Sequence, residues 1–346
     1  MARIIYGVCG EGYGHSSRSK EVLTHLKNKG HEIIVVGHDK SYKILKKHFK
    51  TVKTQGLYFV FRKNKVDYWK TIAGNVRRYP KFFKSFRKLD NLFREFKPDI
   101  AFTDFEPLTG LVANINKVPL VSIDNQHRLA NMWLSVPKKY RRDAITAEIV
   151  VRAMIRDTIA CLVLTFFFGK KRNKKTFFFK PIIRREILKL KPKQGRHILV
   201  YQTSKSNRRL FRILKKIGER FIIYGFDKKK KDKNLLFKKH STTGFFNDLK
   251  NCKAVIMNGG FSLMTEAIYL KKPVLSEPVK GQFEQIINAI HLDRLGYGKF
   301  EETLTAEKVK RFIKDIPKYR KNLKKYKQKD NKRILKKIDS LVKSRC

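Results

Sequence analysis

Acidic side chains are scarce in this chain: 29 Asp and Glu stand against 81 Lys and Arg, a formal charge of +52. Such a field disfavours basic partners and attracts polyanions, so nucleic acid, an anionic membrane face and phosphorylated small molecules all fit it. Because the basic residues are spread over nearly every expected helix, a general preference for lysine accounts for the excess equally well. Cysteine is scarce too. Cys9, Cys161, Cys252 and Cys346 lie far apart with no CxxC spacing, which excludes a thiolate zinc site or disulfide framework and fits a reducing cytosol. Long apolar runs are missing: the longest uncharged one, 158–168, is about half of the ~20 residues a spanning helix needs. The apolar stretch at 4–8 runs straight into glycines and does not read as a signal peptide. The expected location is therefore cytoplasmic, with at most a peripheral hold on a membrane.

What is present is enough for two cores. The chain has 346 residues, 42% of them hydrophobic and 12% aromatic. In the first half, RIIYGV, EIIVV, LYFVF, DIAFT, PLVSI and CLVLTFF alternate with amphipathic stretches, the first helix falling at about 16–29. That alternation predicts parallel βαβ units. KKRNKKT followed by two prolines and a glycine marks a linker. HILVY, RFIIYGF, KAVIMN and PVLSEP then repeat the pattern, with helices at 207–217 and 262–270. The expected architecture is α/β: a Rossmann-like domain over 1–169, a linker over 170–195, a second Rossmann-like domain over 196–316 and a basic helix over 317–346, the parallel sheets facing a central cleft. Ile334, Ile338, Leu341 and Val342 give the tail one apolar stripe, read as packing on its parent domain.

GEGYGHSSR, at 10–18, follows the first strand and opens a helix. Gly10, Gly12 and Gly14 let oxygen-rich groups approach backbone N–H groups at a helix start. A dinucleotide fingerprint would put a third small residue where His15 stands; Asp39 after the second strand keeps that oxidoreductase reading open, and the spacing is against it. His15 reads either as a general base for a hydroxyl or as a cap of the turn.

The second domain carries NGGFSLMTEA (258–267) after a strand, and QFEQIINA (282–289) after the next. Gly259 and Gly260 open a helix N-terminus, Ser262 and Thr265 can offer hydroxyls to a diphosphate, and Glu266 can accept from a ribose diol. Gln282, Glu284 and Gln285 open the following helix, where the sugar of a nucleotide sugar would lie. By position alone, 201–205, including Thr203 and Ser204, and 242–246 line the same ligand.

Together GxGxGHxxR, GGxxxxxEA and QxxNA resemble the GT-B nucleotide-sugar glycosyltransferases, closest to the family of the peptidoglycan lipid-linked GlcNAc transferase and the plant galactolipid synthases. TDFEP (103–107) and SIDNQH (122–127) are similar to a largely prokaryotic branch described as family 28 or UDP-glucuronosyltransferase-like. The resemblance runs from Arg3 to about Phe300. It implies that Glu266 binds the donor ribose, Gly259 and Gly260 lie near the diphosphate, Gln285 and Asn288 lie beside the donor sugar, and Gly12, Gly14 and His15 face the reaction. The hydroxyl that many relatives carry three places before the glutamate is Leu263 here, with Ser262 one place earlier.

The resemblance also implies an inverting, metal-independent transfer from a nucleotide sugar, UDP expected, to an acceptor hydroxyl. No cofactor beyond that co-substrate is expected, and no metal, since no DxD or histidine cluster has ligand spacing. Base candidates at strand ends are His15 first, then Asp104 and Glu106, with Asp124 and His127; Asn125 and Gln126 share the acceptor side. Asp104 and Glu106 read equally as caps of a helix beginning near Pro107. Trp69, Ile72, Val76, Phe83, Phe86 and Phe93, interleaved with basic residues and interrupted by Pro80, read either as a lipid-facing stretch or as an ordinary core helix. A lipid acceptor at an anionic membrane is the expectation that follows. A nucleotide-sugar epimerase of the same fold and a nucleic-acid-binding protein stand as alternatives, the latter without any recognised binding motif and so without a specific nucleic-acid partner.

Overall fold

A computed structural model describes residues 1–56, 61–62, 65–66, 79–202, 208–239 and 241–345. The chain divides into two compact units: Met1–Val60, Asp67–Arg184 and Asp330–Cys346 form the first, Phe61–Val66 and Arg185–Lys329 the second.

In the first unit, β1 (Arg3–Val8), α1 (Gly14–Asn28), β2 (Glu32–Gly37), α2 (Asp39–Leu45) and β3 (Thr51–Lys53) wind outward in one direction. A short antiparallel ribbon, β4 (Phe61–Arg62) with β5 (Lys65–Val66), follows in the chain and belongs to the second unit. Then come α3 (Tyr79–Phe96), β6 (Ile100–Asp104), α4 (Pro107–Ile115), β7 (Leu120–Asp124), α5 (Arg128–Asn131), α6 (Arg141–Met154), β8 (Ala160–Leu164) and β9 (Thr176–Phe179). The sheet order is β3-β2-β1-β6-β7-β8-β9, every pair parallel. β1, β6, β7 and β8 are buried along almost their whole length, as strands covered by helices on both faces must be. Ile5, Ile34, Val36 and Ala101 of the sheet meet Leu89 and Phe93 of α3 and Leu108 and Val112 of α4.

The second unit runs α7 (Arg185–Leu188), β10 (His197–Tyr201), α8 (Arg208–Leu214), β11 (Arg220–Tyr224), β12 (Lys230–Asp232), β13 (Leu235–Phe237), α9 (Thr242–Asn251), β14 (Ala254–Met257), α10 (Phe261–Tyr269), β15 (Val274–Ser276), α11 (Phe283–Arg294), β16 (Gly298–Phe300), α12 (Ala306–Lys314) and α13 (Ile316–Leu323). Its order is β12-β13-β11-β10-β14-β15-β16, parallel except for β12 against β13. Both sheets therefore reverse their winding beside a central strand, between β1 and β6 in one and between β10 and β14 in the other. Loops leaving the strand ends on either side of such a reversal part from each other, and the crevice they leave is where ligands bind in this architecture.

Two features depart from the sequence reading. The described part of the aromatic and basic stretch is α3, with Pro80 at its second position, where a missing N–H costs nothing, so the proline starts the helix instead of kinking it. Most of its apolar side turns inward: Leu89 and Phe93 are buried and Phe82, Phe86, Leu92 and Phe96 pack against the same core. Phe83 alone of its named aromatics stays exposed, beneath Arg87, too little for a lipid-facing stripe on the described α3. Trp69, Ile72 and Val76 lie outside the described residues.

The second feature is the tail. The units meet at 184/185, inside the segment read as a linker, and α14 (Lys332–Lys343) belongs to the first unit. Ile334, Ile338 and Val342 are buried there, and His25 Nε2 of α1 meets Asp339 Oδ1 at 2.6 Å. Asn331 fastens the return, accepting from Ile183 N–H at 3.0 Å and donating to Ile183 C=O at 2.7 Å. Asn331→Ala leaves both buried backbone groups unpaired, and urea unfolding should show a loss of about 2 kcal/mol; an unchanged midpoint would mean the tail is not fastened there.

Candidate active site

β1 ends in the glycine turn, and α1 starts at Gly14 directly beyond it. Gly12 has φ +71°, a conformation that L side chains enter only with strain. Gly10 N–H donates to His38 Nε2 at 3.0 Å, and His38 Nδ1 lies 3.1 Å from Asp39 Oδ2. Asp39, the acidic residue a dinucleotide site would need, is thus occupied with the histidine that holds the turn.

His15 is the second residue of α1, and Arg18 and Ser19 follow one turn later on the same face. Across the sheet reversal, Asp104 closes β6 in register with Val8 of β1. Its carboxylate is buried and fully engaged: Arg18 Nε and Ser19 Oγ donate to Oδ2 at 2.7 and 2.8 Å, while Arg18 Nη2 and His15 Nδ1 meet Oδ1, the latter at 2.7 Å. Burial alone would push this carboxyl up, but the Arg18 guanidinium and the His15 ring, by charge and hydrogen bond, hold it below the usual carboxylate range.

The ionised carboxylate decides the tautomer. Arg18 Nη2 also lies 2.9 Å from His15 Nδ1, and one nitrogen cannot accept from Arg18 and donate to Asp104 at once. A bare Nδ1 would set two acceptors against each other at 2.7 Å, so Nδ1 carries a proton and, in the neutral ring, the lone pair is on Nε2. Among the described residues Nε2 has no hydrogen-bond partner, and the ring remains partly exposed.

Phe105 next turns the chain with φ +54°, so the acids on either side of it serve different elements. Glu106 is buried as the cap of α4: Oε1 accepts from Leu108 N–H at 3.2 Å and Oε2 from Thr109 N–H at 2.7 Å. Both of its oxygens are taken by the helix start.

A second His–Asp pair follows β7. His127 Nδ1 donates to Asp124 Oδ2 at 2.7 Å, Asp124 Oδ1 accepts from His127 N–H at 2.8 Å, and Ser122 Oγ also donates to Oδ2. Asp124, Asn125, Gln126 and His127 are all buried. Asn125 Oδ1 accepts from Arg18 Nη1, which ties this loop to the first pair.

In the second unit, Gly259 turns the chain after β14 with φ +103°, and a Cβ there would stand 3.0 Å from both Ser276 Oγ and Gln285 C=O. Gly260 then heads α10 without any side-chain cap, and a Cβ on it would meet open space. The start of α10 thus stands at the sheet reversal, the kind of helix N-terminus that suits an anion. Asn288 Nδ2 donates to Gly259 C=O at 3.0 Å, while Gln285 Oε1 accepts from Val279 N–H at 3.1 Å and Gln285 Nε2 donates to Gln282 Oε1. Glu266 is buried in α10 and Glu284 is half-buried in the first turn of α11.

Thr265 differs from the expectation. Its hydroxyl donates to Ser262 C=O at 3.0 Å within the helix and is buried, because the fifth residue of α10 faces the sheet instead of the helix start. Ser262 is half-buried in the first turn. Thr203 and Ser204 lie outside the described residues. Gln202, just before them at the end of β10, is buried with neither amide atom paired among the described residues, and Ser276 Oγ at the end of β15 is in the same state. The sequence reading gave Arg18 and Ser276 no role, although the i+3 spacing of Arg18 from His15 was the available signal.

Against this geometry, the chain matches the sequence profile described as glycosyl transferase family 1 over residues 2–317. The chain belongs to that family. It is a glycosyltransferase. It is 26% identical over 324 residues to an uncharacterized glycosyltransferase of Methanosarcina acetivorans, covering 86% of this chain and 85% of the relative. A Methanosarcina mazei protein of the same description is 24% identical over 329 residues, covering 86% and 85%. Among solved structures, the kitacinnamycin glycotransferase superposes with a TM-score of 0.73 at 14% identity over 98% of both chains. The calicheamicin glycosyltransferase gives 0.71 at 13% identity, again over 98% of both. These likenesses fix the fold as GT-B, and none of the names is that of an epimerase or a dehydrogenase.

The acid response of the buried pair is measurable. Asp124 is pulled down to about 2 because, although burial pushes it up, the His127 charge and the hydrogen bonds from His127 and Ser122 outweigh it. Its folded value lies below the unfolded 3.8, so the stabilisation is present above that pH and is lost as pH falls through about 2. Urea unfolding of the native chain should weaken between these values by about 2 kcal/mol more than that of Asp124→Asn; equal slopes would contradict the pairing.

Proposed function

We propose that the enzyme moves a sugar from a nucleotide sugar, of the UDP-sugar class, to an acceptor hydroxyl with inversion at the anomeric carbon and without a metal. The observation that carries this reading is the His15 imidazole, held at Nδ1 by the ionised Asp104 with its Nε2 lone pair unpartnered among the described residues. In the proposed step the acceptor oxygen attacks the anomeric carbon and its proton passes to Nε2. The bond from that carbon to the diphosphate oxygen breaks, and the nucleoside diphosphate leaves with the electron pair. Asp104 is buried and acts through His15, keeping its tautomer and balancing the imidazolium that forms.

For the donor, the uncapped start of α10 at Gly259 and Gly260 supports a diphosphate site, in which N–H groups meet the charge that grows on the leaving group. A Streptomyces sp. SF2575 glycosyltransferase of TM-score 0.61 was solved with thymidine diphosphate, which supports the same class of leaving group here. In this reading Glu266 takes the ribose, the amide of Gln202 and hydroxyl of Ser276, unpaired among the described residues, meet polar donor atoms, and Gln285 and Asn288 hold the glycine turn beside the donor sugar. The motifs TDFEP and SIDNQH favour the family-28-like branch, and with +52 they support a lipid or lipid-linked acceptor at the inner, anionic face of a membrane.

His15→Ala should lower kcat by about 10²–10⁴-fold while isothermal calorimetry shows unchanged binding of UDP. A kcat within twofold of the native value would remove His15 from the reaction. Glu266→Ala should weaken UDP binding and leave the pH profile of transfer in place; unaltered UDP binding would misplace the nucleotide.

A further inference from the structure

The remaining chemistry of the first unit lies on its surface. Met1 apart, the four most exposed large apolar side chains among the described residues are Ile149 at 61%, Trp133 at 60%, Ile145 at 59% and Phe168 at 55%. They come from three segments distant in sequence, and the structure brings those segments together. Trp133 N–H donates to Lys170 C=O at 2.9 Å, Met132 bridges to Lys171, and Gly169 lies against Met132 and the Trp133 carbonyl. The Arg172 guanidinium stacks on the Trp133 ring at 4.5 Å and reaches Glu148 of α6 at 2.6 Å, between Ile145 and Ile149 in sequence. One ion-paired arginine therefore joins the Trp133–Phe168 edge to the apolar side of α6.

α6 itself is oddly placed for a helix of a globular protein. Of its 14 residues only Val151 is buried, while Ile145 and Ile149, one turn apart, face solvent. Large apolar side chains left exposed on linked segments in this way mark an interaction site.

Charge selects the partner. KKYRR at 138–142 leads into α6, and KKRNKK at 170–175 follows Phe168 and Gly169. Of the acids near them, Glu148 is held by both Arg152 and Arg172; burial pushes its carboxyl up, and the hydrogen bonds from those arginines outweigh that and keep it ionised. The segments that carry the apolar side chains thus also carry two basic runs. Amphipathic surfaces built this way seat apolar and indole side chains at the depth of lipid headgroups while Lys and Arg meet anionic phosphates. The patch also follows β7 and β8 at their C-terminal ends, the same edge of the sheet on which β1 and β6 present His15 and Asp104.

We propose that α6, Trp133 and Phe168 form the surface by which the first unit docks on a bilayer containing anionic lipid. This rests on the reading of the chain as a transferase that acts at a membrane, and it assigns that contact to a surface other than α3. A lipid acceptor with its headgroup at the bilayer surface would then be presented along the sheet edge that carries His15.

The test is flotation of the full chain with vesicles of phosphatidylglycerol and phosphatidylcholine, compared with phosphatidylcholine alone. Ile145→Glu/Ile149→Glu serves as the surface variant, because both positions face water and the fold does not depend on them; circular dichroism and UDP calorimetry check that fold. The expected result is flotation with the anionic vesicles only, and partition at least tenfold weaker in the double variant with UDP binding unchanged. No flotation of the native chain would overturn the inference, as would equal flotation of native chain and variant. A native dimer that the double substitution dissolves, with no vesicle binding, would overturn it in favour of self-association. In each case UDP binding reports separately on the proposed transfer chemistry, so failure of one reading does not hide failure of the other.

Discussion

A carboxylate with no access to water governs the first unit. Asp104 stands at the one place in its sheet where neighbouring loops diverge, and leaving it there uncompensated would cost several kcal/mol. α1 supplies the compensation with three residues from a single face, His15, Arg18 and Ser19. The consequence runs both ways: the helix satisfies the acid, and the acid fixes the register of the helix on β6 and the orientation of the imidazole. Any group that reacts at His15 does so on a ring whose other nitrogen is already committed.

The second unit solves a related problem with backbone instead of charge. Gly259 must pass close to Ser276 and Gln285, and its carbonyl is held by Asn288 from the next helix. The result is a helix start led by a glycine with no side-chain cap among the described residues, where a Cβ would meet open space. One unit thus holds an imidazole oriented by a buried acid and the other a glycine-led helix start, each at the reversal of its own sheet.

Much of this was legible in the sequence because it rests on local rules. Runs of β-branched and aromatic residues ending in glycines gave the strands and both turns, and the spacing of NGGFSLMTEA and QFEQIINA gave the order of α10 and α11. What was not legible depends on which way a side chain faces. Glu106 and Asp104 are two residues apart and look alike in the sequence, yet a positive φ at Phe105 sends one to a helix cap and the other to α1. Thr265 lies inside NGGFSLMTEA, and its hydroxyl turns back to Ser262. The stripe on α3 has the periodicity of either a lipid face or a core face, and only the position of the sheet decides that it is core. The exposed side of α6 left no such signal, since Arg172 links Glu148 to Trp133 only in the fold.

The return of α14 to the first unit has a consequence for how such a chain can be inherited. Because 330–346 completes the unit that begins at Met1, the two halves of the sequence are not the two units. A recombination event that joined the first half of one relative to the second half of another would carry the wrong closing helix onto α1, with a foreign partner for His25 where Asp339 stands. Exchange of the second unit between relatives therefore has to replace internal segments, chiefly 185–329, and leave both termini of the chain in one lineage.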